Sequence, residues 1–390
     1  MNTVTIAVAF MPLVDAAPLV IAQEMGFAEA EGLTLDLIAA PSWSSVRDML
    51  AFGRVDAAHM LSPMPVAMAM GLGGVTTEIS AVSVLSVNGN VIGVGKRLEE
   101  ELRRTGYGFD FSDPMAAAAA LVQASPRPIV FGVPFPFSMH VELLRYWARA
   151  SALGTEGVAI RTVPPPLMAS ALANGDVDAF CVGEPWGSVS VEQGAGALLL
   201  PGSAIWSFAP EKVLATRTNW AASEPDLLGR LMRAVWKAGR WLADPSTRTA
   251  ASDLLSRKAY LDVPSELIDR ALSGHLTLSG QGELRHVERF LEFHKGAVNF
   301  PWRSQAKWIA QNLSKSLAAE SGFDLDEVAK VFRTDLHRMH LGRLDPDLPG
   351  ASEKVEGAIP HAMPVASAGG ALTLMPNQFF DGQIFDPALK

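Results

Sequence analysis

The chain has little of what most protein chemistry draws on. It has one cysteine in 390 residues, Cys181, which excludes an intramolecular disulfide and any CxxC metal knuckle. That residue sits in an apolar strand pattern, where a thiol packs as a small buried hydrophobe. There is no run of lysine and arginine, and the net charge is −9. A direct nucleic-acid ligand is therefore not expected, because phosphate neutralisation needs clustered basic residues. No uninterrupted apolar stretch of about 18 residues occurs, so no membrane span is expected. The motifs GxxxxGK[ST], HExxH and GxSxG are missing, and Gly71-Leu72-Gly73-Gly74 lacks the spacing of a phosphate loop. His59, His140 and His275 are far apart in sequence. His337 and His340 share a helical face but have no Glu or Cys at matching spacing. The expectation is a protein that is not an enzyme, with no metal and no cofactor.

What is present is apolar and repetitive. About half the residues, 49%, are hydrophobic and 19% are charged, so a sizeable core can form. The length predicts two lobes of roughly 150–200 residues each. A unit occurs twice, as Gly53-Arg54-Val55-Asp56-Ala57-Ala58 and as Gly175-Asp176-Val177-Asp178-Ala179-Phe180. The second copy lies between Val163-Pro164-Pro165-Pro166 and Gly183-Glu184-Pro185-Trp186, two loops that belong at one edge of a sheet. That edge is where α/β folds place ligands.

Strand and helix patterns alternate from the start. Thr3–Phe10 reads as a strand, Asp15 as the N-cap of a helix with Pro18 just inside, and Gly26 as its stop. Leu33–Ala39 and Val55–Met60 follow as strands, and the alternation predicts mainly parallel sheets. A second set begins near Asn90, with strands at Val91–Val94, Ile129–Gly132, Val158–Val163, Ala179–Val182 and Ala197–Leu200. Beyond Thr216 the pattern turns helical, with Leu227–Leu242, His286–Lys295 and Ser304–Ser314 amphipathic. These patterns assign residues 1–88 with 216–390 to one lobe and 89–215 to the other, joined by two hinge crossings. The tail 346–370 reads as a surface segment, and Phe379-Phe380-Asp381-Gly382 as a terminus docked on the chain itself.

Loops after the strands supply the candidate ligand residues. Ser138 is placed to cap a helix, which puts His140 in a first turn that favours negative charge. A surface histidine without a role is the alternative. Trp43 stands between strand and helix, where its ring and indole donor suit a planar ligand, or packing alone. By default Lys212 is a solvated lysine and Asn90 a turn residue.

Together these segments resemble a known family. Asp15-Ala16-Ala17-Pro18, Gly26-Phe27, Ser42-Trp43 with Arg47-Asp48, His59-Met60-Leu61-Ser62-Pro63-Met64-Pro65, Val163–Pro166 and Phe180–Trp186 are similar to segments of the nitrate- and bicarbonate-binding proteins of ABC transporters. The resemblance implies the α/β type II periplasmic-binding-protein fold, two lobes closing on a small ligand. It places the oxyanion contacts on Trp43, Asn90, His140, Pro165, Val182, Gly183 and Lys212, with Asn90 standing where transporter proteins have glutamine. Nitrate has acceptors and no proton, so a lysine suits it, whereas bicarbonate binders carry an acidic residue at that position. Nitrate or nitrite is the expected ligand, with the adjacent Glu211 reversing the inference if the register slips by one. Met1-Asn2-Thr3-Val4 has no basic n-region or cleavage site. If Met1 is the native start the expectation is a cytoplasmic sensor of the NasS type, which holds a NasT-type RNA-binding antiterminator. If a leader was removed, the expectation is a periplasmic transport receptor whose partner is an ABC permease. An enzyme that makes the thiamin pyrimidine shares the fold, but it uses a cysteine-rich iron motif that one cysteine cannot supply.

Overall fold

Ten strands build the two sheets that position the site. In the computed structural model, which describes residues 3–316, 322–345, 347–367 and 369–389, the first four are β1 (Val4–Phe10), β2 (Leu33–Ala39), β3 (Ala57–Leu61) and β4 (Ile79–Asn88). Next come β5 (Asn90–Gly95), β6 (Ile129–Val133), β7 (Val158–Thr162) and β8 (Ala179–Gly183), then β9 (Gly196–Pro201) and β10 (Pro210–Arg217). The first sheet has the order β4-β10-β3-β1-β2, with a short strand Leu291–Glu292 outside β4. The second has the order β7-β6-β8-β5-β9. Met1, Asn2 and Pro346 lie outside the described residues.

The sheets are mixed, which corrects the expectation of mainly parallel ones. β1 runs parallel to β2 and β3, and β6 parallel to β7 and β8, each through a helical crossover. However, β10 is antiparallel to both β3 and β4, and β5 is antiparallel to both β8 and β9. β5 in the second sheet, and β10 with the short strand Leu291–Glu292 in the first, therefore run opposite to their neighbours. β4 passed unrecognised in the sequence because all ten of its residues are buried, serines included, so it shows no alternation.

The chain leaves the first sheet at Asn88-Gly89-Asn90, where Asn88 and Gly89 both have positive φ, 62° and 90°. Glycine suits this turn twice over, because a Cβ at position 89 would also lie 2.6 Å from Leu291 Cδ1. It returns between Pro201 and Pro210. The two crossings are stapled together by Asn88, whose amide donates to Ser207 O at 3.0 Å and whose Oδ1 accepts from Ala209 N at 3.1 Å. Because β10 already belongs to the first sheet, we propose that the lobe boundary falls before Pro210 rather than at 215/216.

Two local expectations differ from the structure. His286–Lys295 is not a helix. Leu284–His286 pairs with His275–Thr277, Arg289 turns at φ 61°, and Leu291–Glu292 joins β4. Its apolar spacing comes from Phe290 and Phe293 burying out of a turn. Asp15 is not an N-cap either. Val14–Ala16 forms a 3-10 turn, the helix Ala17–Glu24 follows with Ala16 at its cap position, and the Asp15 carboxylate points elsewhere. The C-terminal Phe379 packs against both Trp206 and Trp308, with ring centroids at 4.8 and 5.7 Å, while Asp381 accepts the Tyr146 hydroxyl at 2.9 Å.

The helix Met139–Arg149 carries a buried carboxylate whose oxygens accept no hydrogen bond among the described residues, Glu142, with Arg145 at 3.7 Å. Burial pushes its pKa from 4.5 up to about 7, against the pull of Arg145 and Arg149. The unfolded chain ionises first, so this group favours folding fully below about pH 4.5 and the benefit is lost as pH rises through about 7. Glu142→Gln is therefore expected to be more stable than the wild type by about 1–3 kcal/mol near pH 8 and indistinguishable from it near pH 4. Paired urea titrations measure the difference, and a gain of equal size at both pH values would refute the cause.

Candidate functional site

Strand direction explains how the site assembles. The parallel strands β1, β2, β3, β6, β7 and β8 deliver the loops after their carboxyl ends to one edge. The two antiparallel strands deliver their first residues to that same edge: Asn90 of β5 pairs with Gly183 of β8, and Lys212 of β10 pairs with Leu61 of β3. Ser42 caps the helix Trp43–Ala51 and Ser138 caps the helix Met139–Arg149, accepting from Ser45 N and Val141 N. These caps fix Trp43 and His140 in first turns, where polar side chains face the crevice.

At the centre is the Lys212 ammonium, fully buried. Its Nζ lies 2.6 Å from Asp15 Oδ2, 2.8 Å from Glu211 Oε1 and 5.5 Å from the centre of the Trp43 ring. Asp15 Oδ1 is 3.0 Å from His59 Nε2, and the His59 ring tilts against Trp43 at 5.5 Å. Met11 N–H donates to His59 Nδ1 at 3.5 Å, which leaves the ring proton on the nitrogen that faces Asp15. On the other side, Glu211 Oε2 accepts from the Asn90 amide at 2.9 Å, and Glu211 Oε1 lies 3.4 Å from His140 Nδ1.

Consecutive strand residues normally face opposite ways, yet Glu211 and Lys212 both point into this cluster. A bulge is the reason: β10 advances two residues, Pro210 to Lys212, while β4 retreats one, Val87 to Ser86. The extra residue turns both side chains to one face. The sequence reading treated a lysine and an acidic residue as alternatives at this place. In the structure both side chains face the cluster and touch each other at 2.8 Å.

Burial and charge oppose each other throughout. For Asp15, burial favours the neutral acid, but Lys212 and His59 outweigh it and hold the carboxyl below the usual carboxylate range. For Glu211, burial wins over Lys212 and Asn90, with Asp15 adding repulsion, so its pKa is raised. Burial lowers Lys212, but Asp15 and Glu211 more than restore it, keeping the amine charged. His59 and His140 are both lowered, by burial first. Lys212 is thus the one fixed cation of the cluster, matched by Asp15 and by a Glu211 that burial inclines toward its neutral form.

Several polar atoms here have no hydrogen-bond partner among the described residues: Trp43 Nε1, Asn90 Oδ1 and both His140 ring nitrogens. Buried polar atoms without partners are rare and costly; Asn90 Oδ1 packs against Gly202, while the Trp43 and His140 nitrogens near the lysine mark a place built to receive a polar group. Gly183 forms the floor. A Cβ there would come 3.2 Å from Leu13 Cδ2, 3.7 Å from Asp15 Oδ2 and 3.9 Å from His140 Nε2. Val182 lies one residue back, paired with Val91 inside the sheet. Pro165 stands with Trp43, Pro134 and Phe135 around an adjoining cavity of about 270 Å³. A larger cavity of about 480 Å³, lined by Arg97, Asn174 and Asp178, includes none of the predicted site residues.

Trp43, Asn90, His140, Gly183 and Lys212 therefore meet in one cluster, with Pro165 beside it and Val182 behind it. Sequence reasoning missed Asp15, His59 and Glu211 as members. A signal existed for Asp15, the single charged residue between Thr3 and Gln23, in a segment too apolar for a surface cap. The closed geometry spans both sheets: Val14 N–H donates to Glu184 O at 2.9 Å and Trp186 Nε1 to Pro12 O at 2.8 Å.

Two α/β lobes with a polar cleft at facing carboxyl edges define a binding protein of the periplasmic-binding-protein class. The chain belongs to the NMT1-like family, whose model matches residues 1–256. It is similar to the nitrate/nitrite binding protein NrtA of Synechocystis, 30% identical over 98% of this chain and 82% of that protein. It is also 33% identical to the nitrate import ATP-binding protein NrtC of Synechocystis, over 81% of this chain but 46% of that longer protein, so it spans about half of it. Among solved structures, the periplasmic nitrate-binding protein NrtA from Synechocystis PCC 6803 superposes with a TM-score of 0.82 at 26% identity, covering 99% of this chain and 96% of that one. The aliphatic sulphonate-binding protein SsuA from Escherichia coli shares the fold, with a TM-score of 0.56 at 13% identity over 86% of this chain and 99% of that one.

Proposed function

We propose that this chain binds nitrate or nitrite between its two sheets and serves as the substrate-binding component of an ABC transport system. The contacts in this reading are Trp43, Asn90, His140, Pro165, Val182, Gly183 and Lys212. The observation that carries it is the set of unpartnered buried nitrogens, Trp43 Nε1 and the two His140 ring nitrogens, beside the Lys212 ammonium. An ammonium, an indole N–H and an imidazole N–H suit a planar anion that offers acceptors and no proton. The nitrate/nitrite binding proteins among its relatives support the same ligand, and bicarbonate transport ATP-binding proteins 32–33% identical to it make bicarbonate the competing one.

The names of these relatives are of transport components, which favours a permease as partner over the RNA-binding antiterminator of the sensor reading, and a periplasmic over a cytoplasmic location. In this reading the anion draws the two lobes together, and the permease recognises the closed form. Calorimetric titration with nitrate, nitrite and bicarbonate tests the ligand. Nitrate or nitrite is expected to bind, and Trp43→Ala to weaken that binding by about tenfold or more through loss of its indole donor. Tighter binding of bicarbonate than of either nitrogen oxyanion would reject the proposal.

A further inference from the structure

Glu211 already makes the contacts that the proposed function assigns to a bound anion. Its carboxylate is planar and delocalised, as nitrate is, and each of its oxygens is engaged. One oxygen meets Lys212 at 2.8 Å and approaches His140 at 3.4 Å, and the other accepts the Asn90 amide at 2.9 Å. Three of the side chains assigned to the anion thus converge on one internal carboxylate. The arrangement also spans the cleft: Glu211 belongs to the first sheet, Asn90 to the second, and His140 to the helix that follows β6 of the second. The bulge at Pro210–Lys212 has this consequence, since without it Glu211 would face away from Lys212.

We propose that Glu211 is a specificity-determining residue that acts as a tethered competitor, holding Lys212, Asn90 and His140 until it takes up a proton and yields them to the entering anion. The inference rests on the reading of the cleft as an anion site. Charge balance gives the direction. The groups facing Glu211 are Lys212 on its own strand, Asp15 on the turn after β1, Asn90 on β5, His140 on the capped helix and Cys181 on β8. Of these, Lys212 is a cation and Asp15 an anion. A monovalent anion added beside an ionised Glu211 would set three negative charges against one positive in a fully buried site. Uptake of one proton by Glu211 restores the two-to-one balance that the site has before binding, with Glu211 ionised, and frees its contacts, and burial already raises its pKa. A proton-free monovalent anion is favoured by such a site, because the protonated Glu211 is a donor, whereas an anion carrying its own hydroxyl needs Glu211 ionised.

The experiment is calorimetric titration of the full chain with sodium nitrate, and in parallel with sodium bicarbonate, between about pH 6 and 9, in two buffers of different ionisation enthalpy, for the wild type, Glu211→Gln and Glu211→Ala. The wild type is expected to take up close to one proton per nitrate. Its affinity should fall by up to about tenfold per pH unit where Glu211 is ionised. Both variants should bind nitrate more tightly than the wild type at alkaline pH and lose the dependence, with circular dichroism checking that each is folded. A flat wild-type profile, or variants that bind nitrate no better than the wild type at alkaline pH, would overturn the competitor role and leave the anion site standing. A variant that loses bicarbonate affinity without gaining nitrate affinity would show Glu211 receiving a ligand hydroxyl, and would also overturn it. Failure of the wild type to bind nitrate at any pH would reject the anion reading itself, and the competitor with it.

Discussion

Lys212→Met abolishes nitrate binding and destabilises the free protein by about 3–5 kcal/mol at neutral pH, the cost of leaving buried charge unpaired. Methionine retains the length and apolar stem of the side chain, so the change removes the ammonium with little loss of packing. Asp15 and Glu211 would then face each other in a buried cluster without the cation that both now contact, at 2.6 and 2.8 Å. Glu211 can escape by taking a proton, because its pKa is already raised. Asp15 can do the same in the variant, because burial favours its neutral acid and Lys212, the larger of the two groups that hold its carboxyl below the usual range, is gone. The wild-type carboxyl, depressed by Lys212, contributes stability that is fully present above the unfolded range, whereas in the variant the same buried carboxyl must bind a proton that the unfolded chain has already released at neutral pH. The penalty of the variant is therefore full at neutral pH and shrinks as the medium becomes acidic enough to protonate Asp15 in the unfolded chain as well. Urea titrations at pH 7 and near pH 4 would show this, and a penalty that grew on acidification would contradict the assignment of Asp15 as the charge that Lys212 balances.

A second large effect is expected at Gly183, where the backbone rather than a charge shapes the site. Gly183→Val adds a Cβ 3.2 Å from Leu13 Cδ2 and 3.9 Å from His140 Nε2, with two methyl groups beyond it. No positive φ is required at this position, so the cost lies in crowding and not in strain. The methyl groups fill the space between Asp15 and His140 with apolar volume, and nitrate affinity should fall by a hundredfold or more. Folding should cost only about 1–3 kcal/mol for overpacking. Gly183→Ala is the graded control, with a smaller loss. Titration calorimetry and thermal melting separate the two effects, and nitrate affinity within tenfold of the wild type in a folded Gly183→Val would place the anion elsewhere.

Much of the fold was legible from local pattern. The strands at Leu33–Ala39, Ile129–Val133 and Ala179–Gly183 and the helix Pro225–Leu242 lie close to where alternation, proline starts and glycine stops put them. Such signals act within a few residues, so they survive without tertiary knowledge. β4 was lost because a strand buried on both faces shows no period, and the 286–295 segment was misread because aromatic residues that bury from a turn imitate a helical stripe. Asp15 was misassigned for a similar reason. An acidic residue before a helix is more often a cap, and only the 3-10 turn that precedes Ala17 rotates it toward Lys212.

The division within the site follows the direction of the strands. Trp43, His140, Pro165, Val182 and Gly183 lie at or just beyond the carboxyl ends of parallel strands, and the sequence alone determined that such loops gather at one edge. Asn90 and Lys212 begin their strands, so in a parallel sheet they would have been carried to the far edge. They join the others because β5 and β10 run antiparallel, a choice made by neighbours distant in sequence: Gly183 for Asn90, and Leu61 and Ser86 for Lys212. The same is true of Glu211, whose orientation depends on one extra residue in a pairing with a strand more than a hundred positions earlier. Composition and local periodicity specify which segments become strands and helices. Strand direction, the bulge and the charges they bring together are set by long-range hydrogen bonding, and only the tertiary structure decided them.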